Sequence, residues 1–192
     1  SWGPWCRLDS LGMLAGEEAA QVLADHSGSH HARLGGDTGA KSLADRLGRL
    51  PLALRIAGSF LAEVAEVPPA FAEPAQIDSY LKYREVLDQD GLHAAFPAPA
   101  AGALTPDQAR EIIDRTWELS LDQLESRQVP EARRLLRLLS CLADAPIPYE
   151  LLLHPPTLAS SPLFAGITGP RLWQILQALA GFGLIELASN RE

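Results

Sequence analysis

The sequence predicts a mainly α protein: a helical bundle followed by a winged-helix domain with a small β wing. Three observations carry that expectation. Apolar residues recur at helical spacing through residues 43–64 and again through residues 112–142. Prolines stand where those periodic segments begin, the place a helix tolerates them. The last part of the chain orders three helical segments and then one short apolar run, Leu184-Ile185-Glu186-Leu187, which is the order of a winged helix.

Along the chain, Trp5-Cys6-Arg7-Leu8 reads as a short strand or an ordered arm. Residues 16–23 follow as a short helix, with Glu17 and Glu18 in the first turn, where the macrodipole favours negative charge. Residues 27–39, rich in Gly, Ser and His, read as a loop. Residues 38–47 read as a helix with Leu43, Ala44 and Leu47 on one face. Residues 50–64 read as a second helix, apolar almost all round and therefore buried. Its Pro51 fits the first helical position, where the missing N–H is no loss. Pro68, Pro69 and Pro74 interrupt the pattern, and Ile77, Tyr80, Leu81, Arg84 and Leu87 predict a third helix ended by Asp90-Gly91.

The Pro- and Ala-rich residues 96–102 form the natural linker. Thr105, Pro106 and Gln108 then fit the N-cap, N1 and N3 positions of a helix carrying Ile112, Ile113, Trp117 and Leu121. Pro130 opens a helix with Leu135, Leu136, Leu138, Leu139 and Leu142. Pro148 opens a short one through Leu153. Pro170 opens the last, with Leu172, Ile175, Leu176 and Leu179, ended by Gly181-Phe182-Gly183, and residues 184–187 read as a strand.

Composition bounds the function. The 192 residues are 47% hydrophobic, enough for a sizeable core in one or two domains. A formal net charge of −8 argues against a surface built to hold polyanions. Two cysteines far apart in sequence, Cys6 and Cys141, fit a reduced cytoplasmic protein better than a disulfide framework. No apolar run reaches the roughly 18 residues of a membrane span. The chain opens without methionine, which suggests a piece of a longer protein.

Several stretches invite a chemical reading and fail it. Gly35-Gly36-Asp37-Thr38-Gly39-Ala40-Lys41-Ser42 matches a phosphate-binding P-loop except that Ala40 replaces the last glycine. A P-loop also needs a hydrophobic strand before it, and Ser27-Gly28-Ser29-His30-His31 is not one. His26, His30 and His31 have the i, i+4 spacing of a zinc pair, but the intervening Ser-Gly-Ser favours a solvated loop. His93 and His154 stand alone as structural or surface groups. Glu17-Glu18 and Asp88/Asp90 are paired acids that fit a helix start and a helix end. No nucleophile elbow, metalloprotease helix or activated cysteine occurs, so no catalytic residue is assigned.

A winged helix raises transcriptional regulation through DNA binding as the alternative function. Its reading helix would offer only Arg171, Gln174 and Gln177. Residues 131–192 balance Arg133, Arg134, Arg137, Arg171 and Arg191 against Glu131, Asp144, Glu150, Glu186 and Glu192. A neutral module in an acidic chain is a poor polyanion binder, so a protein-contacting role is favoured.

The segment Gly48-Arg49-Leu50-Pro51-Leu52-Ala53-Leu54 resembles the G-L-P-L-A motif of NB-ARC and related STAND NTPases, which include plant resistance proteins, apoptotic adaptors and bacterial regulators. The resemblance continues in Thr116 to Leu124, in Ala132 to Leu142 with Ile147-Pro148, and in Leu176 to Ile185. Leu8 to Leu11 with Glu17 to Leu23 looks like the end of the family's ATPase core. The resemblance implies that residues 1–34 are a remnant of the nucleotide-binding core, 35–96 a helical domain, 97–104 a linker and 105–192 a winged-helix domain. It further implies that Gly48, Leu50, Pro51 and Leu52 border a nucleotide, with the flat apolar proline ring against a purine.

Two departures qualify that expectation. Arg49 stands where the family's glycine precedes the leucine, so its backbone freedom must come from Gly48. The phosphate-binding and late Met-His-Asp segments of the family are not within these residues. The resemblance therefore implies a regulatory fragment that closes over ADP or ATP held by a P-loop core of the same chain. The fragment alone is expected to be no enzyme and to hold no cofactor tightly. Its further partner is a protein effector or another copy, with DNA disfavoured and no membrane.

Overall fold

The computed structural model describes residues 13–72, 76–89, 104–142 and 145–187. Helices dominate them: α1 (Gly16–Ser27), α2 (His31–Leu34), α3 (Gly36–Arg46), α4 (Pro51–Ala65), α5 (Tyr80–Leu87), α6 (Pro106–Ser126), α7 (Glu131–Ser140), α8 (Tyr149–Leu152), α9 (Pro155–Ala159) and α10 (Gly169–Gly181). Short 3₁₀ turns occur at Gly28–His30, Pro69–Phe71 and Pro162–Phe164. Helix starts follow local chemistry. Thr105 Oγ1 accepts from the Gln108 N–H at 3.3 Å while the Thr105 N–H donates to Gln108 Oε1 at 2.8 Å, closing a capping box on α6. Ser79 and Thr168 cap α5 and α10 by a single bond each, their hydroxyls accepting from the Lys82 and Arg171 backbone N–H groups, each worth about 1 kcal/mol.

The buried helix expected at residues 50–64 is α4, and it organises the rest. Helix α1 lies along it and along α3, while α5 packs on α3 and α6 on α4. The α1–α4 approach is close because Gly58 has no side chain; a Cβ there would lie 2.6 Å from the Cβ of His26. Phe60 sits at the centre of the apolar core. Its ring meets Tyr83 edge-on at 5.2 Å and Phe182 at 5.7 Å, so α5 and the end of α10 are both held against α4. The apolar cluster runs without a break from Ala19 in α1 to Leu184 beyond α10.

The far end of α4 is fastened to α6 and α10. Arg127 Nη2 donates to the Glu63 carbonyl at 2.9 Å, Nη1 approaches the Glu63 carboxylate at 3.3 Å, and the guanidinium lies 5.2 Å from the Phe182 ring centre. Arg55 Nη2 donates to the Gly183 carbonyl at 3.3 Å.

Two expectations are corrected. The β wing at Leu184 to Leu187 does not form: residues 182–185 are turns and bends, and no strand occurs among the described residues. A strand needs a neighbour for its backbone groups, and none is supplied among the described residues. Instead Leu184 is buried and Ile185 and Leu187 pack on the core, so the apolar alternation serves burial rather than pairing. The loop expected at residues 27–39 is helical, because its polar side chains find tertiary partners, described below. The strand expected at Trp5 to Leu8, the helix stop at Asp90-Gly91 and all of the linker before Leu104 lie outside the described residues. Among the described residues no helix is long and apolar enough to cross a membrane.

Candidate functional site

The turn between α3 and α4 carries the four residues singled out by the sequence. Helix α3 ends in a Schellman closure: the Gly48 N–H donates to the Asp45 carbonyl at 3.1 Å and the Arg49 N–H to the Ala44 carbonyl at 3.0 Å. The closure requires left-handed backbone at Gly48, whose φ is +64°. Space imposes the same choice, since a Cβ on Gly48 would lie 2.2 Å from Leu104 Cδ1. Arg49 continues in the left-handed region with φ +54°. The backbone conformation that a glycine would supply is thus adopted by both residues, and the arginine is steadied by its 2.8 Å ion pair with Asp45.

Leu50 is half-buried, packs on the core and takes extended backbone (φ −79°, ψ 118°), as the residue before a proline must. Pro51 then opens α4 at its first position, as the sequence predicts. Its ring is exposed, Leu52 beside it is 37% exposed, and the next two residues, Ala53 and Leu54, are fully buried. Leu50 has no side-chain acceptor to cap the helix start. The result is a small apolar face, Pro51 and Leu52, on a turn held rigid by the proline ring, the Schellman closure and the buried residues behind it.

The P-loop-like residues 35–42 lie elsewhere in the same helix pair. Residues 36–42 are the first turns of α3, preceded by α2 and not by a strand. Lys41 Nζ pairs with Glu17 at 2.7 Å on the surface, and that hydrogen bond holds the ammonium above its ordinary pKa. Ser42 Oγ accepts from Arg84 Nη1, and Gly39 lies against the Tyr80 ring. Each group that would face phosphate is committed to a structural contact.

The histidines are likewise divided. His31 Nε2 contacts Asp37 at 3.0 Å while its Nδ1 meets the Tyr80 hydroxyl at 2.9 Å, and that hydroxyl is 2.6 Å from Ser27 Oγ. This chain of polar groups is what winds the supposed loop into helical turns against α5. His30 contacts Glu66 at 3.1 Å. His26 is held below its ordinary pKa by burial and by the nearby Arg55. Among the described residues no group of His, Cys, Asp and Glu is placed to hold a metal.

Two buried polar groups escape sequence reading altogether. Arg46 is 5% exposed and pairs through Nε with Asp88 at 2.5 Å, leaving Nη2 without a partner. Tyr83 is fully buried, and burial pushes its phenol far above the ordinary value, with the Thr116 hydroxyl and Arg115 opposing. The Thr116 hydroxyl donates to the Ile112 carbonyl at 2.7 Å, and the Tyr83 hydroxyl makes no well-formed hydrogen bond. Only the meeting of α3, α5 and α6 places these groups together.

No protein family, curated protein or solved structure matches the chain.

Proposed function

We propose that this chain is the helical regulatory part of a signalling ATPase of the STAND type. In this reading Gly48, Leu50, Pro51 and Leu52 form one wall of a site for ADP or ATP, whose phosphates are held by a P-loop core of the same polypeptide. The observation that carries it is the exposed Pro51–Leu52 face at the rigid start of α4. A proline ring is flat-sided, apolar and already ordered, so covering a purine with it loses little entropy. A nucleotide then shifts the protein between arrangements only by binding them with different affinity.

Among the described residues Pro51 and Leu52 offer an apolar wall while the P-loop-like Lys41 and Ser42 are committed to Glu17 and Arg84, and one wall excludes too little water to hold a ligand tightly. Calorimetry on residues 1–192 is expected to give no ADP binding tighter than about 1 mM, and no ATP hydrolysis. Micromolar binding would point to a phosphate site in this chain and overturn the division of labour. In the whole polypeptide, Pro51→Ala is expected to weaken ADP roughly ten-fold, about 1.4 kcal/mol. A whole polypeptide lacking a strand followed by a P-loop, or one whose ADP affinity ignores Pro51→Ala, would remove the reading.

A further inference from the structure

An open groove of about 360 Å³ lies between α7, the Pro162–Phe164 turn and the start of α10. Its polar wall is made by Glu131, Arg134 and Arg171, and its rim carries Leu163, which is 61% exposed. Arg171 is committed there: Nη2 donates to Glu131 at 2.7 Å and to the Gln128 carbonyl at 2.6 Å. Arg134 donates from Nη1 to the Leu163 carbonyl at 3.0 Å, which uses one of its five N–H donors. Arg137 follows one turn along α7, three residues on, and is therefore a surface neighbour of Arg134.

Most cations of this acidic chain are matched: Lys41, Arg46, Arg49, Lys82, Arg84, Arg127, Arg133 and Arg171 all lie within ion-pair distance of a carboxylate. Among the described residues Arg134 and Arg137 are not paired in this way, yet they are both exposed and adjacent. With Arg171 and Glu131 they leave a local excess of positive charge on a protein whose net charge is −8. An exposed guanidinium in the groove wall, Arg134, with a second, Arg137, one turn along α7 beyond that wall, and an apolar rim match carboxylates carried on a segment with an apolar side chain.

We propose that the groove, with Arg134 and Arg137, docks an acidic peptide segment, its carboxylates on the two guanidiniums and an apolar side chain against Leu163. The patch is too small and the remaining surface too acidic for a nucleic-acid strand, whose phosphates extend well beyond two arginines. Glu131 in the wall also opposes a doubly charged phosphate more than a single carboxylate.

The test uses residues 1–192 and a fluorescein-labelled hexapeptide alternating leucine and glutamate, followed by anisotropy at about 0.05 M salt, where exposed charges are weakly screened. Binding is expected, weakened at least ten-fold by Arg137→Glu. That side chain is exposed and makes no hydrogen bond or ion pair among the described residues, so the fold is expected to persist, and unchanged far-ultraviolet dichroism checks it. Arg134→Gln should weaken binding less, because the neutral amide can still donate to Leu163. Equal binding of the same peptide with glutamine for glutamate, or indifference to Arg137→Glu, would overturn the proposal. No binding would also overturn it, and so would tighter binding of a twelve-nucleotide single strand lost in Arg137→Glu, which would assign the patch to nucleic acid.

Discussion

Gly48, Gln128 and Gly183 occupy the same position, one residue past the last turn of a helix, in α3, α6 and α10. In each case the 6→1 and 5→2 backbone hydrogen bonds of a Schellman closure form, and φ is +64°, +64° and +68° respectively. Two of the three are glycine, which takes that conformation without strain, and the third is not. A left-handed L-residue costs about 1–2 kcal/mol, against about 0.5–1 kcal/mol of extra entropy lost by glycine. Gln128→Gly is therefore expected to raise stability by up to about 1 kcal/mol, since Gln128 bonds through its backbone, its N–H to Glu125 and its carbonyl to Arg171, and glycine keeps both. The reverse change, Gly48→Ala, should cost about 2 kcal/mol or more, because strain adds to the clash with Leu104. Thermal melts of the two variants should move in opposite directions. The two core tyrosines make a second contrast. Tyr83→Phe removes a buried hydroxyl without a well-formed bond and should be neutral or stabilising, whereas Tyr80→Phe breaks contacts to Ser27 and His31 and should cost about 1–2 kcal/mol. Urea midpoints in which Tyr83→Phe is the weaker variant would refute this account of the core.

Between elements, the joint of α7 with α10 depends on charge and on leucine. Glu131 is driven upward by partial desolvation, but the hydrogen bond from Arg171 and further basic neighbours outweigh it, and its carboxyl sits below the ordinary value of 4.5. A carboxyl whose native pKa is lowered stabilises the fold above its unfolded value and loses that contribution as pH falls below it. The stability gap between the natural chain and Glu131→Gln should thus be full at pH 7 and shrink below about pH 4.5. A gap that widens on acidification would contradict the pairing. Among the leucines of these helices, Leu176 is 4% exposed and Leu136 only partly buried. Leu176→Ala should cost about 2–5 kcal/mol and Leu136→Ala clearly less. Sequence periodicity marks both as core, because their spacing differs only in how nearly each points at α6 and α4, a distinction made by packing.

For the whole molecule, the unbroken apolar cluster and the Glu63–Arg127–Phe182 fastening tie the early helices to the late ones. Calorimetric unfolding of residues 1–192 should accordingly show one cooperative transition, with calorimetric and van't Hoff enthalpies in agreement. Two resolved transitions would mean that the parts on either side of residues 90–103 fold apart. The sequence by itself determined the helical class, the starts of α4, α6 and α10, the burial of α4 and the exposed first position of Pro51. Those depend on periodicity, on proline's missing N–H and on capping side chains, all local properties readable within a few residues. It misjudged residues 27–39 and residues 184–187, and it left Arg46, Tyr83 and the Arg134–Arg137 pair unmarked. Only the tertiary structure decided these. Ser27 and His31 become helical through Tyr80, about fifty positions away (separations of 53 and 49), and Leu184 is buried in the core, beside a Gly183 carbonyl held by Arg55 of α4. A strand, a polar network and a charged groove are defined by partners that the chain brings together only when it folds, and no local pattern records which partner arrives.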